Sequence, residues 1–232
     1  MRPTSVVVNG KVALDAGALA GGIDLVRQQQ LEAVVLTHAH ADHICELPFF
    51  LENIAATLRP PVRIYGSVAT LYAVRRHLIN NHIWPDLDAS TIRPRVMEFV
   101  EVEAEQPFVA GGVQWTPFAV DHTVPTFGYV IKDGDSAVIW SSDTGATERM
   151  WELINADPSI STAMVEVSFD NARQELADRT GHLTPNGLQS ELTKCHRDVR
   201  LLVHHLKPIF VDQLRRELED LELLQQGKSY DF

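Results

Sequence analysis

Residues 37–43 read Thr37-His38-Ala39-His40-Ala41-Asp42-His43, which places three imidazoles and one carboxylate within six positions. The segment directly follows Glu32–Leu36, a short apolar run typical of a buried strand. Imidazole and carboxylate groups bind zinc, manganese or iron, whereas calcium prefers oxygen ligands throughout. Four ligands this close in sequence cannot all reach one ion with good geometry. The spacing therefore predicts two metal ions, the first two histidines on one and the aspartate and third histidine on the other.

Apolar periodicity predicts strands and helices that alternate along the whole chain. Asn9-Gly10 is a two-residue turn signal that predicts a hairpin of Thr4–Val8 with Lys11–Leu14. The other predicted strands are Glu32–Leu36, Val62–Tyr65, Ala89–Glu103, Val113–Val120, Phe127–Lys132, Ala137–Trp140, Thr162–Val167 and Val199–Val203. The predicted helices are Ile23–Gln30, Leu47–Leu58, Val68–Ile79, Glu148–Asn155, Pro185–Cys195 and Val211–Leu224. Because no repeat or linker composition interrupts this pattern, we expect one α/β domain over residues 1–232.

Three more candidate ligands each follow a predicted strand. His122 follows Val113–Val120, Asp143 follows Ala137–Trp140, and His205 follows Val199–Val203. Loops at strand ends are where an α/β fold gathers its functional residues, so this shared placement favours one site. Taken alone, each of the three is more often a surface or core residue than a ligand.

Composition and charge exclude several classes of protein. The chain has 232 residues, of which 45% are hydrophobic and 22% charged, as in a soluble folded protein. Twenty basic against 31 acidic residues give a net charge of −11, which opposes non-specific binding to nucleic acid. No apolar run approaches a membrane span or a signal-peptide core, so we expect a cytoplasmic protein. Cys45 and Cys195 are expected to be reduced, packed thiols.

The histidine motif, with the later His122, Asp143 and His205, resembles the metallo-β-lactamase superfamily. That resemblance implies an αββα sandwich with two metal ions at one edge of its paired sheets. Within the superfamily the chain is similar to the class II 3′,5′-cyclic-nucleotide phosphodiesterases. This second resemblance rests on 77–87, on Glu166-Val-Ser-Phe with Gly181-His-Leu-Thr-Pro, on His205-Leu-Lys-Pro and on the ending 227–232. Glu46 stands where the family pattern has glycine.

The resemblance implies a ligand for each coordination position. One metal is expected on His38, His40 and His122, the other on Asp42, His43 and His205, and Asp143 is expected to bridge them. Zinc is the expected metal, with manganese or iron as alternatives. His205 is preferred to His204 because it precedes Leu-Lys-Pro as the family ligand does, and a neighbour on an extended segment points to the opposite face.

A mechanism follows from these parts. A metal-bound hydroxide would attack phosphorus in line. Asp42, an expected ligand of one of the two metals, is therefore counted among the catalytic residues as well as among the ligands. The departing ribose oxygen needs a proton, for which His182 is the candidate acid, with Glu166 orienting it. Asn81, Trp84 and His182 are candidate substrate-binding residues, Trp84 by stacking on a purine. Glu166 could equally be a charged residue at a strand end, and a Trp-Pro pair is more often packing.

The predicted function is hydrolysis of a 3′,5′-cyclic nucleotide such as cAMP by a dinuclear metal enzyme. The runner-up is an RNA phosphodiesterase like ribonuclease Z, because 122–129 and Glu166-x-Ser-Phe also resemble that family. A lactonase, β-lactamase or thioesterase is a third reading, and a binding module without chemistry a fourth. The expected partner is a small cyclic nucleotide, with no membrane or nucleic-acid partner; a homodimer stays open.

Overall fold

The computed structural model describes residues 2–57, 60–87 and 95–232. The chain folds as two compact units. The N-terminal unit comprises residues 2–103 and 109–112, and the C-terminal unit comprises residues 104–108 and 113–232. Each unit has its own sheet and its own buried apolar cluster. The single domain expected over 1–232 stays a prediction.

The sheet of the N-terminal unit has the strand order β1-β2-β3-β4-β5. The predicted hairpin is confirmed, since β1 and β2 pair antiparallel, whereas β2, β3, β4 and β5 run parallel. The strands are β1 (Val6–Val8), β2 (Val12–Leu14), β3 (Ala33–Val35), β4 (Val62–Gly66) and β5 (Met97–Glu101). Because β3 lies between two parallel neighbours, its three residues are fully buried, as the apolar run predicts.

The described part of the N-terminal unit contains five helices. They are α1 (Leu19–Gly22), α2 (Leu25–Gln30), α3 (Ala41–Ile44), α4 (Leu47–Ala55) and α5 (Val68–His77). The apolar stripe of α4, formed by Leu47, Phe50, Leu51 and Ile54, recurs at helical spacing and is buried in the core of the unit. α4 ends three residues before the predicted Leu58, which lies outside the described residues.

The sheet of the C-terminal unit contains strands in the order β12-β11-β10-β9-β8-β7. These strands are β7 (Val113–Val120), β8 (Thr126–Asp133), β9 (Ser136–Trp140), β10 (Ile160–Glu166), β11 (Arg200–His204) and β12 (Glu222–Leu223). β7, β8 and β9 alternate in direction, and β9 to β12 run parallel. β7 therefore points the same way as β9, β10 and β11, so all four end at the same edge of this sheet.

The helices of the C-terminal unit are α6 (Arg149–Ala156), α7 (Gln174–Thr180), α8 (Pro185–Leu192) and α9 (Val211–Glu217). The predicted start of α8 is confirmed, because the Thr184 hydroxyl accepts a hydrogen bond from the Gly187 amide and Pro185 follows it. Trp151 of α6 is buried and donates its indole N–H to the buried carboxylate of Glu191 in α8 at 2.9 Å. This bond and the surrounding apolar core fix the two helices together.

Two predicted elements are much shorter in the structure, and some short elements have no counterpart in the prediction. The closing helix predicted over Val211–Leu224 ends at Glu217, because Glu222–Leu223 instead pairs with β11 as β12. The strand predicted over Ala89–Glu103 begins at Met97, and residues 89–94 lie outside the described part. The short strand β6 (Phe108–Ala110) and helix α7 were not predicted. α7 buries only Ala177, so it has no apolar period to detect. In the described part of the chain, no helix is long and apolar enough to cross a membrane.

Candidate active site

The histidine motif of the N-terminal unit is held by Asp15, which follows β2. Its carboxylate is fully buried and accepts hydrogen bonds from the Thr37 amide at 2.9 Å and from the Thr37 hydroxyl. The same carboxylate lies 2.7 Å from Nδ1 of His43. Asp15 has a left-handed backbone, with φ of 59°, which is uncommon for a residue other than glycine. The strained turn after β2 therefore carries the group that positions the loop after β3.

Gly17 allows the chain to pass close to this loop. A Cβ at Gly17 would lie 1.8 Å from the carbonyl oxygen of Asp42 and 2.8 Å from Cβ of Pro3, so no other residue fits there without a shift. The Thr4 amide also donates to the Asp42 carbonyl at 2.9 Å. Backbone contacts thus fix the position from which Asp42 projects. Glu46, at the family's glycine position, accepts a hydrogen bond from the Gly21 amide at 2.8 Å.

The three histidines of the motif lie together within the N-terminal unit. The His38 ring centroid is 4.7 Å from that of His40 and 4.1 Å from that of His43. Nδ1 of His38 is 2.9 Å from the Thr37 hydroxyl. Because Nδ1 of both His38 and His43 faces an oxygen of the protein, Nε2 is the nitrogen that each would offer to a metal. A hydrogen bond of this kind fixes the tautomer and the ring direction.

The C-terminal unit gathers its candidate residues at the edge where four strands end. His122 follows β7, Asp143 follows β9, Glu166 ends β10, and His205 follows β11. Nε2 of His205 is 3.4 Å from Oδ2 of Asp143. Ligand atoms of His122, Asp143 and His182 all lie within 4.8 Å of one another. The placement expected from strand ends is therefore present within this unit.

Gly181 positions His122. Its carbonyl oxygen is 2.8 Å from Nδ1 of His122, which again directs Nε2 of the ring away from the protein oxygen. Gly181 ends α7 with φ of 62°, and a Cβ there would lie 2.9 Å from Cα of His122. Only glycine meets both the left-handed backbone and the close approach.

Glu166, Ser168 and His182 form a buried hydrogen-bonded group. Oε1 of Glu166 is 2.8 Å from Nδ1 of His182, and the Ser168 hydroxyl donates to Oε2 of Glu166 at 3.0 Å. Burial, followed by the charge of Asp143, raises the pKa of Glu166 above its ordinary range. A carboxylate with a raised pKa is a more basic hydrogen-bond acceptor, so Glu166 is suited to hold the imidazole of His182. This arrangement favours the orienting role of Glu166 over that of a solvated charge at a strand end.

Ser168 contacts His205, which favours His205 over His204 as the candidate metal ligand. The Ser168 hydroxyl is 2.9 Å from Nδ1 of His205. Since that hydroxyl donates its hydrogen to Glu166, it accepts from Nδ1 of His205, and the lone pair of the imidazole then lies on Nε2. His204, still within β11, stacks on Trp140 with 3.9 Å between ring centroids. The two histidines have different neighbours, as expected, but for another reason: His205 lies after the end of β11 and has a left-handed φ of 62°, so the turn, rather than the alternation of an extended segment, separates them.

Asn81 and Trp84 lie in the loop after α5, where their described contacts are structural. The Trp84 ring is half-buried and packs edge-on against Phe49, with 5.1 Å between centroids. Oδ1 of Asn81 accepts from the Asp86 amide at 3.0 Å, and Asn81 has a left-handed φ of 65°. Their substrate-binding role stays a prediction.

Sequence reasoning missed Asp15, Thr37, Ser168 and Gly181 as positioning residues. Three of them stand in motifs quoted above, Thr37 in the histidine motif, Ser168 in Glu166-Val-Ser-Phe and Gly181 in Gly181-His-Leu-Thr-Pro, but spacing alone gives no sign of a hydrogen bond. The donors fit divalent transition metals, because the candidate ligands are imidazoles and carboxylates whose ring directions are set by protein oxygens. Within the C-terminal unit His182 also groups with Glu166 and His205, so it could serve as either an acid or a ligand.

Comparisons with known proteins agree with this chemistry. A family model described as the beta-lactamase superfamily domain matches residues 18–205. The chain is 31% identical over 132 residues to a ribonuclease J from Mycolicibacterium smegmatis, covering 53% of this chain and 21% of that protein. It is 25% identical over 120 residues to the cGMP-dependent 3′,5′-cGMP phosphodiesterase A of Dictyostelium discoideum (51% and 13%). It is 28% identical over 112 residues to a ribonuclease Z from Thermobifida fusca (47% and 33%). The matches span about a third or less of each relative's length.

Solved structures show the same fold. The metallo-β-lactamase fold protein YhfI from Bacillus subtilis has a TM-score of 0.76 at 18% identity, covering 98% of this chain and 90% of YhfI. Unliganded yeast PDE1 has a TM-score of 0.74 at 21% identity, covering 88% and 69%. At these identities the likeness concerns the fold alone. The α/β metallo-β-lactamase fold expected from the sequence is confirmed.

Proposed function

Because the chain belongs to the metallo-β-lactamase superfamily, we propose that it is a metal-dependent phosphodiesterase that hydrolyses 3′,5′-cyclic nucleotides. The observation that carries the proposal is the buried Glu166–His182 pair, with 2.8 Å between its carboxylate and imidazole, beside the candidate ligands Asp143 and His205. A phosphodiester with a ribose oxygen as leaving group needs a proton donor at that stage. His182 of this pair is the proposed proton donor, and it lies beside residues that the family resemblance implies as metal ligands.

We assign the metal ligands as the resemblance implies. His38, His40 and His122 are proposed for one ion, Asp42, His43 and His205 for the other, and Asp143 for both. When bound, two divalent cations would activate a water molecule and neutralise charge on the phosphate oxygens. Zinc is proposed, with manganese and iron as alternatives. Asp15, Thr37, Gly181 and Ser168 act by holding ligand imidazoles in one tautomer and direction.

His182 is proposed to protonate the leaving oxygen from Nε2. Its Nδ1 faces the buried carboxylate of Glu166, which stabilises the imidazolium and fixes the ring. Leu183 donates its amide N–H to the same carboxylate oxygen at 3.3 Å, which keeps Glu166 in place. Burial, followed by the charge of Asp143, raises the pKa of Glu166, which makes its carboxylate a more basic acceptor for the Nδ1–H of His182.

The charge of the chain supports a small substrate. A cyclic nucleotide carries one negative charge, which a chain with net charge −11 can accept where cations supply local positive potential. A long RNA brings many phosphates that would need Lys and Arg contacts. Trp84 and Asn81 are proposed to contact the nucleotide from the loop after α5.

A second candidate is cleavage of RNA. Half of the chain matches ribonuclease J and nearly half matches ribonuclease Z, and these matches favour an RNA phosphodiester as the alternative substrate. The same acid and metal ligands would serve both reactions, so the residues of the site do not separate them. Affinity for RNA gripped at several phosphates falls steeply with salt, whereas affinity for a cyclic nucleotide does not.

The test is a parallel assay of zinc- or manganese-loaded protein on 3′,5′-cAMP, on bis-p-nitrophenyl phosphate and on precursor tRNA over a series of salt concentrations. We expect hydrolysis of the first two with a shallow salt response and no tRNA cleavage. Steeply salt-dependent tRNA cleavage without cyclic-nucleotide turnover would replace the proposal by the second candidate. Failure on all three substrates would leave a hydrolase of carboxylic esters or lactams, or a binding module, and would refute the phosphodiesterase.

A further inference from the structure

Ser141 directly follows β9, at the edge of the C-terminal sheet where the candidate residues gather. It is fully buried, and its amide donates to the carbonyl of Met164 in the parallel neighbour β10 at 2.9 Å. Its side chain is therefore closed off from solvent and lies among groups of the protein. Nothing in the proposed chemistry assigns a role to this residue.

The hydroxyl of Ser141 links the ends of β9 and β10. It donates to the carbonyl oxygen of Ser142 at 2.6 Å and accepts from the amide of Glu166 at 3.1 Å. Nε2 of His204 in β11 lies 3.5 Å away, at the outer limit of a hydrogen bond. A hydroxyl has one hydrogen and two lone pairs, so these three neighbours account for its whole capacity. One side chain thus contacts the ends of three adjacent strands.

Each of these strand ends carries a residue of the candidate site. Asp143 lies two residues after Ser141, Glu166 is the proposed partner of the acid, and His205 directly follows the contacted histidine. The hydroxyl itself bonds to backbone groups at two of the three ends. It therefore helps to set the backbone from which the candidate side chains project.

The turn before Asp143 is the part that most needs this support. Ser142 is fully buried and has a left-handed φ of 59°, which is strained for a residue other than glycine. Such conformations persist only where the surrounding structure holds them. The bond from the Ser141 hydroxyl to the Ser142 carbonyl is one such constraint. The Ser142 hydroxyl provides none, because it has no hydrogen-bond partner among the described residues.

A second bond continues the link to the proposed acid. Thr144, on the other side of Asp143, donates its amide N–H to Oε1 of Glu166 at 3.2 Å. The same oxygen lies 2.8 Å from Nδ1 of His182. The loop that carries Asp143 is therefore bonded to the backbone of Glu166 through Ser141 and to its carboxylate through Thr144. A displaced loop would move both the proposed bridging ligand and the carboxylate that orients the acid.

We propose that Ser141 is a positioning residue that couples the loop of Asp143 to the Glu166–His182 pair. Its hydroxyl holds the proposed metal-bridging carboxylate and the proposed acid in one arrangement, without contact with metal or substrate. This inference rests on the proposed function and adds a residue that acts on both the metal ions and the proton donor. Loss of the hydroxyl should therefore weaken metal binding and disturb the acid together.

The experiment compares Ser141→Ala with Ser142→Ala. Both variants remove one fully buried hydroxyl at neighbouring positions, but only the first removes hydrogen bonds. Zinc affinity is measured by competition with a chelator. The hydrogen bond of His182 is followed in the metal-free protein by the downfield proton signal of its Nδ1–H, assigned by its absence from His182→Ala.

In Ser141→Ala we expect zinc affinity to fall about 10–100-fold, as when a group that supports a metal ligand is lost, and the His182 signal to shift. Ser142→Ala should leave both properties as in the wild type. At saturating zinc, Ser141→Ala should hydrolyse bis-p-nitrophenyl phosphate at nearly the wild-type rate. Its turnover of cAMP should stay about tenfold lower, because the acid that this substrate needs is displaced rather than removed. A merely structural role would lower both rates alike.

Ser141→Thr keeps the hydroxyl and should retain the zinc affinity, the His182 signal and both rates, and it decides the question if Ser141→Ala does not fold. An unchanged zinc affinity or an unchanged His182 signal in Ser141→Ala, equal changes in Ser142→Ala, or loss of both properties in Ser141→Thr would overturn the inference. Zinc binding and the signal need no turnover. A wild type that binds zinc but does not hydrolyse cAMP would therefore refute the proposed function without deciding the role of Ser141.

Discussion

Replacing Gly181 by alanine should destabilise the protein and displace a proposed metal ligand. Gly181 has φ of 62°, where a residue with Cβ is disfavoured by roughly 1–2 kcal/mol. The new Cβ would also lie 2.9 Å from Cα and 3.1 Å from Nδ1 of His122. Because the first of these contacts is with backbone, it cannot be relieved by rotating a side chain. Overpacking of this kind costs about 1–3 kcal/mol more.

Gly134 provides a matched control. It has nearly the same backbone, with φ of 58°, in the turn between β8 and β9, but a Cβ there would meet nothing within 4 Å. Gly134→Ala should therefore lose only the conformational part, roughly 1–2 kcal/mol. The difference between the two variants isolates the clash with His122.

The assay is urea denaturation of both metal-free variants, followed by zinc titration. We expect the free energy of unfolding of Gly181→Ala to fall below that of Gly134→Ala by about 1–3 kcal/mol. Zinc affinity should fall about 10–100-fold in Gly181→Ala alone, because the ligand and its hydrogen-bond partner have moved. Equal stability and equal zinc affinity in the two variants would refute the positioning role of Gly181.

The other predictions concern the acid, the ligands and the substrate loop. His182→Ala should lower turnover of cAMP by about 10²–10⁴-fold but spare bis-p-nitrophenyl phosphate, because the leaving group of that substrate needs little protonation. His196→Ala, at an exposed position, is the control. Equal losses on both substrates, or loss of metal, would refute the role of His182 as the acid. Elemental analysis should find two metal equivalents in the wild type, and fewer in Asp143→Ala than in His205→Ala, because a shared ligand serves both ions. Loss of a single metal ion in both variants would refute the bridging role of Asp143. Trp84→Ala should raise KM for cAMP about tenfold with little change in kcat, as loss of one stacked ring implies; an unchanged KM would leave Trp84 as packing on Phe49.

The location of the candidate residues could be predicted because their sequence neighbours are strands. Buried parallel strands such as β3 and β11 read as apolar runs, and the polar residues directly after them mark the sheet edge. His205 could be separated from His204 by its place before Leu-Lys-Pro, whereas the argument from strand alternation was wrong, because His205 has a left-handed φ of 62° after the end of β11. The acid–base pair of Glu166 with His182 followed from the family resemblance rather than from spacing.

The residues that hold the site could not be predicted in the same way. Asp15 reaches Thr37 and His43 across strands far apart in sequence, and such a contact leaves no periodic trace. Helix α9 was extended to Leu224 because an apolar pattern alone does not show that 222–223 pair with β11.

Phosphorus NMR of 3′,5′-cAMP incubated with zinc-loaded protein tests the proposed function most directly. The cyclic phosphodiester signal should be replaced by that of adenosine 5′-monophosphate, because the 3′-oxygen is the group that His182 is proposed to protonate. A chelator should stop the conversion, and added zinc should restore it. An unchanged cyclic signal from protein that contains two metal equivalents would contradict the proposed activity, and a 3′-monophosphate product would contradict the assigned leaving group.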